Sequence, residues 1–233
     1  MLMYALHRHP EAMVWDEHRD NRVFLGYRVR NFDVVRAVID ESRFPIACFK
    51  PICDSHRIAE FATAFPDAHH IWIYRHYEDV ANSSLRRFDA PTRAIRLVCT
   101  GQPGGGWFAE GVSGASREIL TGVYHEALTE FDLSCLVWWA RNRIIVESGL
   151  LGSPGVTLIR YESLVQNPEP VFRWLFARMS LPYHDRIVRH MNDRSIGRDP
   201  APPMDGRVRE LCSSLLRELD AAFDKQKPPV ITC

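Results

Sequence analysis

Two rhythms alternate along the chain. Short continuous apolar runs that stop at a polar group occur at residues 44–50 (FPIACFK), 71–75 (IWIYR) and 155–161 (GVTLIRY). Between them apolar residues recur at helical spacing. In 33–42, Val34 and Val38 lie four apart, with Asp33 near the N-cap position. In 167–182, Val171 pairs with Leu175 and Phe172 with Phe176, Asn167 stands where a cap belongs and Pro168 occupies the first turn. Near the C-terminus Val208, Leu211, Cys212, Leu215, Leu219 and Phe223 form one apolar face. Residues 1–10 read as a helix already in progress, with Met1, Leu2, Ala5 and Leu6 as its stripe and Pro10 after its end. Residues 134–148 are apolar on most faces and predict a buried helix, in which Trp138 and Trp139 are core. Apolar runs interleaved with helices are the mark of buried parallel strands, so the pattern predicts an α/β fold, a parallel sheet flanked by helices. One domain over 1–233 is expected. Its loop-rich insertion is 99–133, where 99–116 is dense in Gly and Ser.

Composition narrows the function classes. The chain is 46% hydrophobic and 25% charged, with 29 basic and 29 acidic residues. A formal charge of zero gives no global attraction to nucleic acid or to an acidic membrane, so any anion site is local. No apolar run approaches the ~18–20 residues of a membrane span, and the first residues lack the pattern of a secretory signal. Cys48, Cys53, Cys99, Cys135, Cys212 and Cys233 form no Cys-x-x-Cys pair, and most lie in apolar surroundings. A reduced, cytoplasmic protein is expected. No metal site is expected, since His69 and His70 are adjacent and no cysteine is near them in sequence. The glycines of 100–106 lack the lysine and the Lys-Ser/Thr ending of a phosphate-binding P-loop.

The candidate chemistry lies where the apolar runs stop. Ligands of open parallel sheets sit beyond the carboxyl ends of the strands. Lys50, Arg75 and Tyr161 occupy those ends and would share one crevice if the three strands run parallel. Ser83 follows Arg75 by eight residues, on the predicted next helix. A guanidinium fork, a hydroxyl and a helix N-terminus together suit a phosphate. The spacing equally admits an arginine paired with Asp79 or Glu78 and a serine bonded back into its own helix.

The segment KPICDSHRIAEFATAFPDAHHIWIYRHYEDVANSSLRR resembles the central block of the sulfotransferase family. That block has a strand ending in lysine, an fPdAk lead-in, a strand ending in arginine and a serine eight residues on. Here these are Lys50, Phe65-Pro66-Asp67-Ala68, Arg75 and Ser83. A second block, LIRYESLVQNPEPVFRWLFARMSLP, resembles the family's YE-D/S-L…dP segment. The resemblance is weak in 91–134 and after 190. It implies a P-loop-type architecture and the co-substrate 3′-phosphoadenosine 5′-phosphosulfate (PAPS). Arg75 and Ser83 would hold its 3′-phosphate, Tyr161 would lie by the adenine, and Arg198 in SIGRDPAPP would complete the phosphate site. It further implies transfer of a sulfuryl group to a hydroxyl or amine of a small-molecule or glycan acceptor. Glu17 would be the base, with Asp16 and His18 as alternatives, and Lys50 would stand near the bridging oxygen. Read by itself, Glu17 is equally a solvated loop carboxylate. The histidine that some members carry two residues beyond the lysine is replaced by Ile52.

The family's first strand and its R-[ST]-G-[ST]-[ST] loop, which would cradle the 5′-phosphosulfate, have no counterpart. They would precede a helix such as LMYALHRHPEAMVWDE, and this sequence starts on that helix. Removing an inner strand would expose two strand edges, so self-association through edges is expected. The alternative function is binding without catalysis: a 3′-phosphonucleotide-binding or interaction protein of the same fold.

Overall fold

The computed structural model describes residues 2–88, 92–189, 191, 193–194 and 196–229. Met1 and Cys233 lie outside the described residues. In chain order the elements are α1 (Leu2–Leu6), β1 (Ala12–Asp16), β2 (Phe24–Leu25), β3 (Arg28–Val29), α2 (Phe32–Asp40), β4 (Ile46–Lys50), α3 (Ile58–Ala64), β5 (His70–Tyr74), α4 (Tyr77–Arg87), α5 (Arg93–Cys99), α6 (Gly114–Val123), α7 (Glu130–Glu147), β6 (Val156–Arg160), α8 (Tyr161–Gln166), α9 (Pro168–Arg178) and α10 (Gly206–Lys225). The fold is α/β, with short parallel strand pairs flanked by helices. The chain divides into two compact units: residues 1–66 with 167–191, and residues 67–166 with 192–233.

In the first unit β1 runs parallel to β4, with Ala12 opposite Ile46 and Asp16 opposite Lys50. The expected helix over LMYALHRHPEAMVWDE is therefore corrected. It ends at Leu6, and the consecutive apolar residues after Pro10 form a strand. Proline supplies no N–H to continue a helix, and Ala12 to Trp15 is a run rather than a stripe. The hairpin of β2 and β3 turns at Gly26 and Tyr27, both at positive φ (55° and 65°), which matches the twist of the flanking strands. Val23, Phe24, Val35 and Val38 form a buried cluster against Trp15, Phe49 and Phe65. The cap of α2 is Asn31, not Asp33. Its side-chain oxygen accepts the Asp33 N–H at 2.8 Å. In α9, Val171, Phe172, Leu175 and Phe176 are fully buried, as their spacing predicts. Asn167 stands at the cap position of α9 but makes no capping hydrogen bond.

In the second unit β5 runs parallel to β6, with His70 opposite Val156 and Tyr74 opposite Arg160. Helix α7 opens with a capping box between Thr129 and Asp132 and is buried on nearly every side, Trp138 and Trp139 included. Helix α10 buries Val208, Cys212, Leu215, Leu219 and Phe223, while Leu211 is only half-buried. The Tyr74 hydroxyl donates to Asp220 of α10 at 2.6 Å, tying that helix to the strand pair. The loop-rich reading of 99–133 needs correction too, because α6 and the start of α7 lie within it. Ser113 caps α6 by accepting the Ser116 N–H at 3.0 Å. In the remaining loop Gly105 has φ 92°, and a Cβ there would lie 2.8 Å from the Ala109 side chain. Four of the five described cysteines are buried, Cys48 is half-buried, and all five are free thiols. Among the described residues no helix is long and apolar enough to cross a membrane.

Leu219 is fully buried on the inner face of α10. Leu219→Ala is expected to cost about 2–5 kcal/mol in a urea unfolding titration. A loss below about 1 kcal/mol would mean that α10 is not packed as described.

Candidate functional site

Arg75 is the first residue past β5 and His76 caps α4, so the chain turns from strand to helix across these two residues. Side chains hold that turn from two directions. The Trp138 indole N–H donates to the Arg75 carbonyl at 2.8 Å. The His76 N–H donates to the Glu162 carboxylate at 2.9 Å. Glu162 lies in the first turn of α8, which begins directly after β6. The carboxyl ends of the paired strands are thereby locked together. The Arg75 guanidinium lies 4.7 Å from the centroid of the Tyr161 ring and donates to Asp79 at 2.9 Å. Of the two readings that spacing left open for Arg75, the ion pair with Asp79 is present.

Ser83 lies in the second turn of α4 and is half-buried. Among the described residues its hydroxyl makes no hydrogen bond, so it is not bonded back into its helix. Asp79, Asn82, Ser83 and Arg86 share one face of α4, at the i, i+3, i+4, i+7 spacing. Three of these four hold a strap from the other end of the unit. Asp79 accepts the Gly197 N–H at 3.2 Å, Asn82 donates to the Asp199 carbonyl at 3.3 Å, and Arg86 pairs with the Asp199 carboxylate. The exposed Arg198 is thus carried between two anchored residues. Arg75, Tyr161, Ser83 and Arg198 all belong to this second unit, on the strand ends, α4 and the strap against it.

Glu17 and Lys50 belong to the first unit. Lys50 ends β4 opposite Asp16, and Glu17 is the next residue after Asp16, so the two stand at the carboxyl end of one parallel pair. Glu17 follows a strand, not a helix. It is not a solvated carboxylate: it is 4% exposed and accepts the Cys53 N–H at 2.9 Å. Burial raises its pKa above the ordinary 4.5, against the opposing pull of the Cys53 N–H and of the charges on Lys50 and His18. Asp54, also buried, accepts from Arg28 at 2.8 Å and from the Val29 N–H at 2.6 Å. The loop after β4 is therefore fixed from two sides. The thiol of Cys53 is pushed up to about 11, chiefly by burial, and is inert at neutral pH. The chain's other lysines, Lys225 and Lys227, lie at and beyond the end of α10, so Lys50 is the one lysine at a strand end.

Several residues that shape these sites escaped the sequence reading. Asp54, Trp138 and Glu162 act across 25, 63 and 86 residues. No local pattern marks such a partner. Asp79 was legible as an ion-pair partner for Arg75 at i, i+4, but not as an anchor for the strap.

No protein-family profile matches the chain, and no curated protein matches it. Among solved structures the chain is similar to a protein described as "Sulfotransferase Domain from the Curacin Biosynthetic Pathway". That similarity has a TM-score of 0.49 at 17% identity, over 78% of this chain and 66% of the other. The chain thus spans just under two thirds of that protein.

The raised pKa of Glu17 has a sign. A carboxyl that holds its proton more tightly folded than unfolded costs stability as pH rises from its unfolded value through its folded one. Wild-type stability should therefore fall, relative to Glu17→Gln, as pH is raised upward from about 4.5. Parallel stability-against-pH curves for the two proteins would show that Glu17 is not buried as a strained carboxylate.

Proposed function

We propose that the protein binds a 3′-phosphorylated adenine nucleotide through its second unit and is a sulfuryl transferase using PAPS. The observation that carries this reading is the placement of Arg75. It stands at a strand's carboxyl end, against an aromatic ring, at the foot of the helix that bears Ser83. Arg75, Ser83 and Arg198 would hold the 3′-phosphate, with Tyr161 beside the adenine. Lys50 and Glu17 would serve the transfer step. An acceptor hydroxyl or amine attacks sulfur, and the bond from sulfur to the bridging phosphate oxygen breaks. Glu17 takes the acceptor's proton, and the Lys50 ammonium stabilises charge on the departing oxygen. A carboxylate with a raised pKa is a stronger base than an ordinary one. Phosphoryl transfer is the nearest physical analogue, with positioning and charge supplying most of the rate.

The ion pair of Arg75 with Asp79 favours a second reading, in which Arg75 is a structural tie and the fold serves an interaction role. Calorimetry with adenosine 3′,5′-bisphosphate separates the two. Arg75→Ala should weaken binding by about 2–4 kcal/mol, and Ser83→Ala by about 1 kcal/mol. The bisphosphate should bind better than adenosine 5′-phosphate. Equal affinity for wild type and Arg75→Ala would leave only the structural reading. In a PAPS turnover assay, binding without transfer would support the non-catalytic form of the proposal.

Strand edges give the expected partner surface. Each strand of the two parallel pairs has one edge with no strand partner among the described residues. Ile73 of β5 is 39% exposed, unusual for the middle of an apolar strand. Self-association through these edges should appear as concentration-dependent sedimentation, reduced by Ile73→Lys. A monomer at all concentrations would remove this surface.

A further inference from the structure

In the first unit, residues far apart in sequence bring together His9, Glu11 and His184. One nitrogen of each histidine and one carboxylate oxygen of Glu11 lie within 4.8 Å of one another. His9 follows α1, and Glu11 immediately precedes β1. His184 lies in the connection after α9, just before a 3₁₀ turn at Asp185–Ile187. This cluster is separate from every residue given a nucleotide or transfer role above.

The hydrogen bonds around His9 select its tautomer. Its Nε2 is 3.0 Å from the carbonyl of Pro182, which can only accept, so Nε2 carries the proton. Its Nδ1 therefore carries the lone pair and accepts the Glu11 N–H at 3.2 Å, a long hydrogen bond that a metal at Nδ1 would displace. A ring nitrogen with a lone pair, opposite an N–H held by a backbone carbonyl, is how a metal-binding histidine is oriented. His9 is 3% exposed, and its ring is braced by Phe176 at 5.5 Å. His184 meets His9 edge-on, with centroids 4.8 Å apart. The His184 Nε2 is buried and has no hydrogen-bond partner among the described residues. A buried imidazole nitrogen without a partner costs free energy that a ligand would recover. Glu11 is exposed and supplies a mobile carboxylate on the solvent side.

We infer that His9 Nδ1, His184 Nε2 and the Glu11 carboxylate form a site for a divalent transition metal of borderline softness, zinc above all. Two imidazoles, one carboxylate and a water complete a tetrahedral shell. Bonds of about 2.0–2.2 Å require the three donors to close to roughly 3.4 Å from one another. The exposed Glu11 side chain and the His184 ring would have to make that movement. Binding would staple the start of β1 to the connection after α9, which makes the metal a stabiliser of the first unit.

Zinc titration of the 233-residue chain by calorimetry, with a thermal-shift series alongside, tests the site. The expected result is one zinc ion per chain and a melting temperature that rises with zinc concentration. His184→Ala and Glu11→Gln should each weaken zinc binding, His184→Ala by at least about tenfold. Both positions are less buried than His9, so these variants decide the matter even if His9→Ala does not fold. Cobalt substitution adds a direct reading: a tetrahedral site gives visible absorption bands that His184→Ala should abolish. Absence of zinc binding by the wild type, or unchanged affinity in both variants, would overturn the site.

Discussion

The candidate nucleotide surface depends on how a strand is allowed to turn into a helix at Arg75 and His76. The turn exposes a carbonyl and an N–H that neither the strand ladder nor the helix can satisfy. Trp138 of α7 takes the carbonyl and Glu162 of α8 takes the N–H. An unsatisfied buried backbone group costs about 1–3 kcal/mol, so removing either side chain would loosen the turn as well as the core. With both in place, the direction in which Arg75 leaves the strand is set by buried, well-packed elements. Tyr161 and Asp79 then act on a guanidinium whose origin is already fixed.

The first unit uses the same device with different residues. The loop after β4 is held where Cys53 donates to Glu17 and where Asp54 receives Arg28 and the Val29 N–H. The consequence for chemistry differs. Glu162 is a strut, whereas Glu17 is a buried carboxylate whose pKa burial has raised, beside the one lysine that ends a strand. Glu17 fixes the loop by accepting the Cys53 N–H from inside the protein. This explains why a residue that spacing alone could have left in solvent lies inside the protein.

Legibility from sequence followed the range of the interaction. Helix α9, the C-terminal face of α10 and the strands at 46–50, 70–74 and 156–160 were readable because burial imposes a local period on the residues that suffer it. Arg75, Ser83 and Lys50 were readable as strand-end and helix positions for the same reason. β1 was missed because Ala12 to Trp15 directly follows a helix and a proline, and five apolar-rich residues do not distinguish strand from helix. The strap at 196–199 was readable only as a candidate arginine, since its place against α4 rests on Asp79, Asn82 and Arg86, more than a hundred residues away. The cluster of His9, Glu11 and His184 was invisible for the same reason, as two of its members sit in an unremarkable turn and the third far along the chain.

A pattern in the loop anchors bears on what an anion would meet. Glu17, Asp54, Asp79, Asp132 and Glu162 each accept a backbone N–H from a loop or helix start: those of Cys53, Val29, Gly197, Asp205 and His76. These backbone N–H groups are thus occupied by carboxylates. At the α4 surface Arg75 and Arg86 are each held by an aspartate. Binding there would exchange one anion for another around a fixed guanidinium. Such an exchange favours a doubly charged phosphate over a singly charged one. It would also weaken as salt screens the exposed part of the surface, and the selectivity of such a site would lie in the competition between Asp79 and the ligand for Arg75.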